Sequence, residues 1–285
     1  MFKEKIPIII LLFSLFVYSC EGGKMREETV ELKDEATQES LKKVARQKIF
    51  FGHQSVGYNI LDGIKDFVQE YPQTHLNMIE ANDPAMLDGE PALVHSPVGH
   101  NTDPVSKLAD FSKYLDSGLG SKVDIAFVKF CYVDITQGVD ARTIFDSYKE
   151  THKRLKSRYP NIIFVHITVP LTSKQTDVKT MAKNLIKKVI GRPVRSYTDN
   201  IPRNQFNDLL KHEYEGIEPV FDLAEIESTL PDGKRVINSE DGITFYSMAP
   251  EYTSDGGHLN EKGRRIVARK LLKFLAGLPV PNSRN

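Results

Sequence analysis

Ile162-Ile-Phe-Val-His-Ile-Thr-Val169 is a nearly continuous apolar run. It lacks the polar–apolar alternation of a half-exposed strand, so it reads as a strand covered on both faces. Strands of that kind belong to parallel sheets lying between two layers of helices. The flanking segments supply those layers. Upstream, Arg142 to Tyr159 reads as a helix with Ile144, Tyr148 and Leu155 on one side. Before it, Val123-Asp-Ile-Ala-Phe-Val128 is a strand that runs into Lys129-Phe-Cys-Tyr-Val-Asp134. Val105 to Leu115 is helical with Leu108, Phe111 and Leu115 inward, and Ala92–Val94 and Leu76–Ile79 are short extended pieces. Further back, the apolar run Ile49–Phe51 ends at Gly52, and a helix follows with Ile60, Ile64, Phe67 and Val68 on one face. Leu41, Val44 and Ala45 mark a short helix ahead of that strand. Downstream come helices over Asp177–Val189 and Pro202–Tyr214, a last core strand at Pro219–Leu223, and a final amphipathic helix carrying Ile266, Val267, Leu271, Phe274 and Leu275. This alternation predicts a three-layer α/β/α sandwich with a mostly parallel central sheet, flavodoxin-like in plan. In such sheets the ligand site lies beyond the carboxyl ends of the strands.

The chain has 285 residues, which fits one large domain with a tail. Lys+Arg and Asp+Glu each number 38, and this balance argues against general electrostatic binding of nucleic acid. The N-terminus reads as a targeting segment. Met1-Phe-Lys-Glu-Lys carries positive charge, and Ile8 to Val17 is an apolar core too short for a comfortable membrane span. With Val17-Tyr-Ser-Cys20 it resembles a bacterial lipoprotein signal, which implies cleavage before Cys20 and a lipid on its sulfur. An uncleaved anchor with an incidental cysteine is the alternative. Either reading places the domain outside the cytoplasm. The expected organisation is a signal over residues 1–19, a polar tether over 20–39, one domain over 40–278 and a tail over 279–285. With Cys20 acylated, Cys131 is the one remaining thiol and no internal disulfide forms.

Two short stretches carry chemistry. In Tyr252-Thr-Ser-Asp255-Gly-Gly-His258-Leu-Asn260, a carboxylate and an imidazole stand three residues apart. Gly256 and Gly257 allow a sharp turn, so Asp255 can hold one ring nitrogen of His258 and leave the other free to take a proton. The plain alternative is a glycine-rich loop with an Asn260 cap before a surface helix. Far upstream, Ser55 sits in Gly52-His-Gln-Ser55-Val-Gly57, at the junction of a strand and a helix. Backbone N–H groups at a helix N-terminus favour incoming negative charge, which suits a nucleophile whose substrate becomes an oxyanion. Serine at such a junction also serves as an N-cap.

Taken together, Ser55 and Asp255-Gly-Gly-His258 make the chain resemble an SGNH/GDSL-type hydrolase over about Ile49 to Leu275. The resemblance implies a serine esterase with Ser55 as nucleophile, His258 as base and Asp255 as its orienting acid. Its oxyanion hole would use the Ser55 N–H, the N–H of Gly99 in Ser96-Pro-Val-Gly99-His-Asn101, and a side-chain donor. The family's asparagine position falls on Val133 here, so Asn101 or His53 becomes the candidate replacement. His53 and Asp134 are candidate lining residues; Asp134 either orients a site histidine or caps a turn. Cys131 reads as a packing thiol rather than a nucleophile. His53, His95, His100 and His258 show no metal-ligand spacing, so neither metal nor cofactor is expected. The implied substrates are small esters or O-acylated, above all acetylated, carbohydrates. An O-acyltransferase using the same serine, and a non-catalytic glycan-binding lipoprotein on this scaffold, are the alternatives.

Overall fold

Phe50 and Phe51 are neighbours in sequence and lie in different cores. They belong to β1 (Lys48–His53), the strand around which the sheet is built. The computed structural model describes residues 35–81, 89–174 and 196–279. Strand β1 pairs in parallel with β3 (Ala92–Pro97) on one side and β4 (Ile125–Val128) on the other. With β2 (Met78–Glu80) at one edge and β5 (Ile163–Phe164) at the other, the order is β2-β3-β1-β4-β5. The short strand predicted at Leu76–Ile79 thus sits slightly later, although Leu76 is buried as expected.

The run Ile162–Val169 is divided between β5 and β6 (His166–Ile167), and β6 pairs with β7 (Val220–Phe221). Backbone bonding shows why. Ile163 and Val165 donate to Asp124 and Ala126 on the β4 side, whereas His166 and Thr168 donate to Pro219 and Phe221 on the β7 side. Successive N–H groups of a strand point to opposite neighbours. The run therefore acts as one strand that joins the five-stranded sheet to β7.

Helices cover both faces. Phe51, Ile125 and Phe127 pack with α2 (Val56–Glu70), α7 (Glu261–Ala276) and the helix over residues 35–44, here α1. Phe50, Ala126 and Val128 pack with α3 (Pro104–Asp116), α4 (Ala141–Arg158) and α5 (Asn200–Tyr214). This is the expected three-layer α/β/α sandwich. Burying each such Phe or Leu side chain contributes about 1.5–3 kcal/mol. At Gly63, helices α2 and α7 come so close that a Cβ would lie 2.5 Å from the Arg264 carbonyl oxygen.

Helix α1 holds Leu41 and Val44 fully buried and begins inside the stretch read as tether. The signal, Cys20 and the helix expected at Asp177–Val189 lie outside the described residues. Among the described residues, no helix is long and apolar enough to cross a membrane. After β7 come α6 (Leu223–Ser228) and a β-hairpin, β8 (Ile237–Glu240) with β9 (Ile243–Tyr246), which spacing did not predict. Its turn, Asp241-Gly242, has φ of 49° and 79°, the conformation an Asp-Gly hairpin turn requires.

Candidate active site

The chain runs from β1 to β3 on one side, then crosses to β4 on the other. At such a reversal the ligand site of an open α/β sheet lies beyond the carboxyl ends of the strands, here β1, β3 and β4. Ser55 stands two residues after β1. Its φ of 38° and ψ of −96° lie where non-glycine residues seldom go. Such a conformation costs about 1–3 kcal/mol and needs support from its surroundings. Part of that support comes from Gln54, whose amide donates to the carbonyls of Val98 and Gly99 at 3.2 and 2.9 Å.

Ser55 precedes α2, yet its side chain makes no capping bond. Its Oγ lies 2.5 Å from His258 Nε2 instead. The N-cap reading of this serine is therefore set aside. Among the described residues, the Ser55 N–H has no hydrogen-bond partner, and Ser55 stands at the N-terminus of α2.

His258 is supplied by the turn before α7. The Asp255 Oδ2 to His258 Nδ1 distance is 2.7 Å. Asp255 Oδ1 also accepts the N–H groups of Gly257 and His258, at 2.9 and 2.8 Å. Burial alone would raise the Asp255 carboxyl, but the His258 ring and these two N–H groups hold it well below the usual carboxylate range. The carboxylate stays charged and fixes the ring. Ser173 donates its N–H to the Gly256 carbonyl at 2.9 Å, and Asn59 Oδ1 accepts the Leu259 N–H at 3.2 Å. The turn is thereby tied to the segment that follows β6 and to α2. Asn260 caps α7 by accepting the Gly263 N–H, so cap and site coexist in one turn. His258 and Asp255 keep 38% and 49% of their side-chain surface exposed, and Ser55 is half-buried, so the three side chains border solvent.

Four other sequence candidates take different places. The Gly99 N–H donates to Asp110 Oδ2 at 2.8 Å and so is not presented to an oxyanion. Asn101 is exposed, and its side-chain oxygen accepts from Lys107 Nζ at 3.1 Å. His53 is fully buried beneath the site. Its Nε2 meets His95 Nδ1 at 3.2 Å, and its ring fills the space where a Cβ of residue 57 would be. Burial and the neighbouring His95 push the His53 ring down to about 2, so it is a neutral packing residue, not a lining group. Asp134 is also buried. It pairs with Lys107 at 2.5 Å and accepts the N–H groups of Cys131 and Thr102. Of the two readings given for Asp134, turn-holding is the one observed.

The structure adds a residue that spacing did not single out. Tyr132, from the loop after β4, brings its hydroxyl to 3.4 Å from His258 Nε2. Only its place beside Val133, in the stretch where an asparagine was sought, pointed towards it. Cys131 is buried beside Lys129 Nζ and faces the core, as a packing thiol does. Among the described residues there is no group of three or more His, Cys, Asp or Glu side chains placed to hold a metal ion.

No protein-family model matches the sequence, and no curated protein matches it. Solved structures do resemble it in chain fold. A lipase/acylhydrolase from Enterococcus faecalis superposes with a TM-score of 0.46 and 16% identity, covering 81% of this chain and 96% of that one. The periplasmic domain of a lipopolysaccharide acetyltransferase from Salmonella ser. Paratyphi A gives 0.47 and 14%, covering 79% and 82%. An acetyl esterase solved with acetate ion gives 0.44 and 12%, covering 80% and 94%.

Proposed function

We propose that this chain is a serine esterase of SGNH type that removes O-acyl groups, acetyl foremost, from carbohydrates or other exported esters. One observation carries the reading: Ser55 Oγ is 2.5 Å from His258 Nε2, whose other nitrogen is 2.7 Å from Asp255. A strained serine, a base and an orienting carboxylate in one line form the arrangement that activates a weak nucleophile. Nothing in the packing of α2 requires that alignment, because the serine caps nothing.

In the proposed reaction, His258 Nε2 takes the Ser55 proton as Oγ attacks the acyl carbon. The carbonyl electron pair moves to its oxygen, which the Ser55 N–H at the α2 N-terminus receives. The tetrahedral centre collapses, the leaving alcohol takes the proton from Nε2, and water then releases the acyl group by the reverse sequence. The N-terminal segment supports an exported protein tethered to a membrane through a lipid on Cys20, with acylated glycans within reach.

The test is ester turnover by the purified full chain on p-nitrophenyl acetate and an acetylated polysaccharide. Ser55→Ala, His258→Ala and the double variant should lose nearly the same activity, because the two groups act as a unit. Asp255→Asn should lose about 10⁴-fold. Wild-type turnover no faster than that of Ser55→Ala on every ester would overturn the proposal.

A further inference from the structure

The Tyr132 hydroxyl is 3.4 Å from His258 Nε2, the same nitrogen that holds Ser55 Oγ. Its ring meets the imidazole edge-on, with centroids 5.7 Å apart and planes at 76°. Three neighbours hold Tyr132, which is 2% exposed, through its ring or the backbone around it. Gly257 leaves the room: a Cβ there would stand 2.8 Å from the Tyr132 Cζ and 2.9 Å from its hydroxyl. Arg203 Nε donates to the Tyr132 carbonyl at 2.8 Å. On the other side, the buried Asp134 carboxylate holds the Cys131 N–H at 2.6 Å and is itself paired with Lys107. The phenol is thus set at the reacting nitrogen before any substrate arrives, and a donor fixed in advance needs no reorganisation during reaction.

Its position decides which reacting oxygen it serves. The oxyanion grows on the acyl carbon, towards the Ser55 N–H. The leaving oxygen must lie about 3 Å from Nε2, because that nitrogen hands it a proton. Only the second oxygen shares Nε2 with the phenol. Building on the serine acyl-transfer reading, we infer that Tyr132 is a catalytic hydrogen-bond donor to the leaving oxygen. As the acyl C–O bond breaks, its electron pair stays on that oxygen. The Nε2 proton moves to the oxygen, and the phenol O–H hydrogen-bonds to it while keeping its own proton. In deacylation the attacking water or acceptor hydroxyl occupies the same place. The proposed substrate class is therefore esters of alcohols with poor leaving ability, such as sugar hydroxyls, where a second donor matters most.

The experiment compares two acetate esters on the purified full chain. The p-nitrophenolate of p-nitrophenyl acetate leaves without assistance, whereas the alkoxide of ethyl acetate does not. Tyr132→Phe should lower kcat/KM for ethyl acetate about 10- to 100-fold, the usual worth of a hydrogen bond to a developing charge, and leave p-nitrophenyl acetate within about threefold. Equal losses on both esters, or no loss on ethyl acetate, would overturn the inference. A wild type no faster than Ser55→Ala on either ester would defeat the acyl-transfer reading itself, which is a separate result. Should Tyr132→Phe not fold, as judged by its thermal unfolding, 3-fluorotyrosine at position 132 keeps the ring and sharpens the donor. Ethyl acetate turnover should then rise with p-nitrophenyl acetate unchanged; no rise overturns the inference.

Discussion

At the scale of single residues, Ser55 sets its proposed function against stability. Its φ of 38° suits glycine far better than serine. Replacing Ser55 with glycine should abolish ester turnover and yet stabilise the fold by about 1 kcal/mol, because the strain is relieved. Urea unfolding of the two proteins measures this, and a destabilised Ser55→Gly would show that the backbone there is not strained. Ser55, Asp255 and His258 were legible in the sequence because a local spacing and a strand–helix junction place them. Gly99 and Asn101 were not, since their partners Asp110 and Lys107 come from the following helix. Which hydrogen bond an N–H makes is settled by what packs beside it, and spacing carries no record of that.

Among the elements, helix α3 and the loop after β4 are joined by a buried ion pair, Lys107 with Asp134, both side chains fully buried. Lys107 is on α3, and Asp134 anchors the backbone after β4 and after β3, through Cys131 and Thr102. Lys107→Met should cost about 3–5 kcal/mol, because it leaves the Asp134 charge buried without its partner. The double variant that also carries Asp134→Asn should recover a large part of that loss. Chemical denaturation of the single and double variants checks this, and additive losses would contradict it. Strands were readable as apolar runs wherever both faces are covered, as at Ile162–Val169. The β8–β9 hairpin was missed because Ile237 and Ile243 are exposed and the strand between them is polar; the Asp241-Gly242 pair was its one available signal.

Over the whole molecule, buried titratable groups set how stability varies with pH. Glu227 is fully buried, and burial raises its carboxyl to about 8 in the folded protein, against 4.5 for the ordinary group. Between those values the unfolded chain has lost a proton that the folded chain keeps. Stability from this group is therefore complete below about pH 4.5 and declines as pH rises through 8. Burial acts in the other direction on His53 and His152, which lie near 2 and 3 in the folded protein. Their contribution is complete above pH 6.5 and is lost as pH falls. Glu227→Gln keeps an oxygen to accept the Leu171 N–H and removes the first of these trends. Its gain in stability over wild type should be near zero at pH 4.5 and amount to a few kcal/mol at pH 8. Unfolding midpoints across that range decide the matter; a constant difference would mean Glu227 does not titrate as described.

The separation of 203 positions from Ser55 to His258 also sets a clock. At ribosomal speeds of about 5–20 residues per second, roughly 10–40 s pass between synthesis of the proposed nucleophile and synthesis of its proposed base. Ser55 lies beside the first strand of the sheet, whereas His258 is carried by the turn that leads into α7, and α7 packs on α2 beside Ser55 itself. A chain still emerging from the ribosome, or stopped short of residue 258, holds a serine with nothing to deprotonate it. Under the proposed reading, ester turnover cannot precede the synthesis of residue 258, and its appearance reports that the two halves of the site have met.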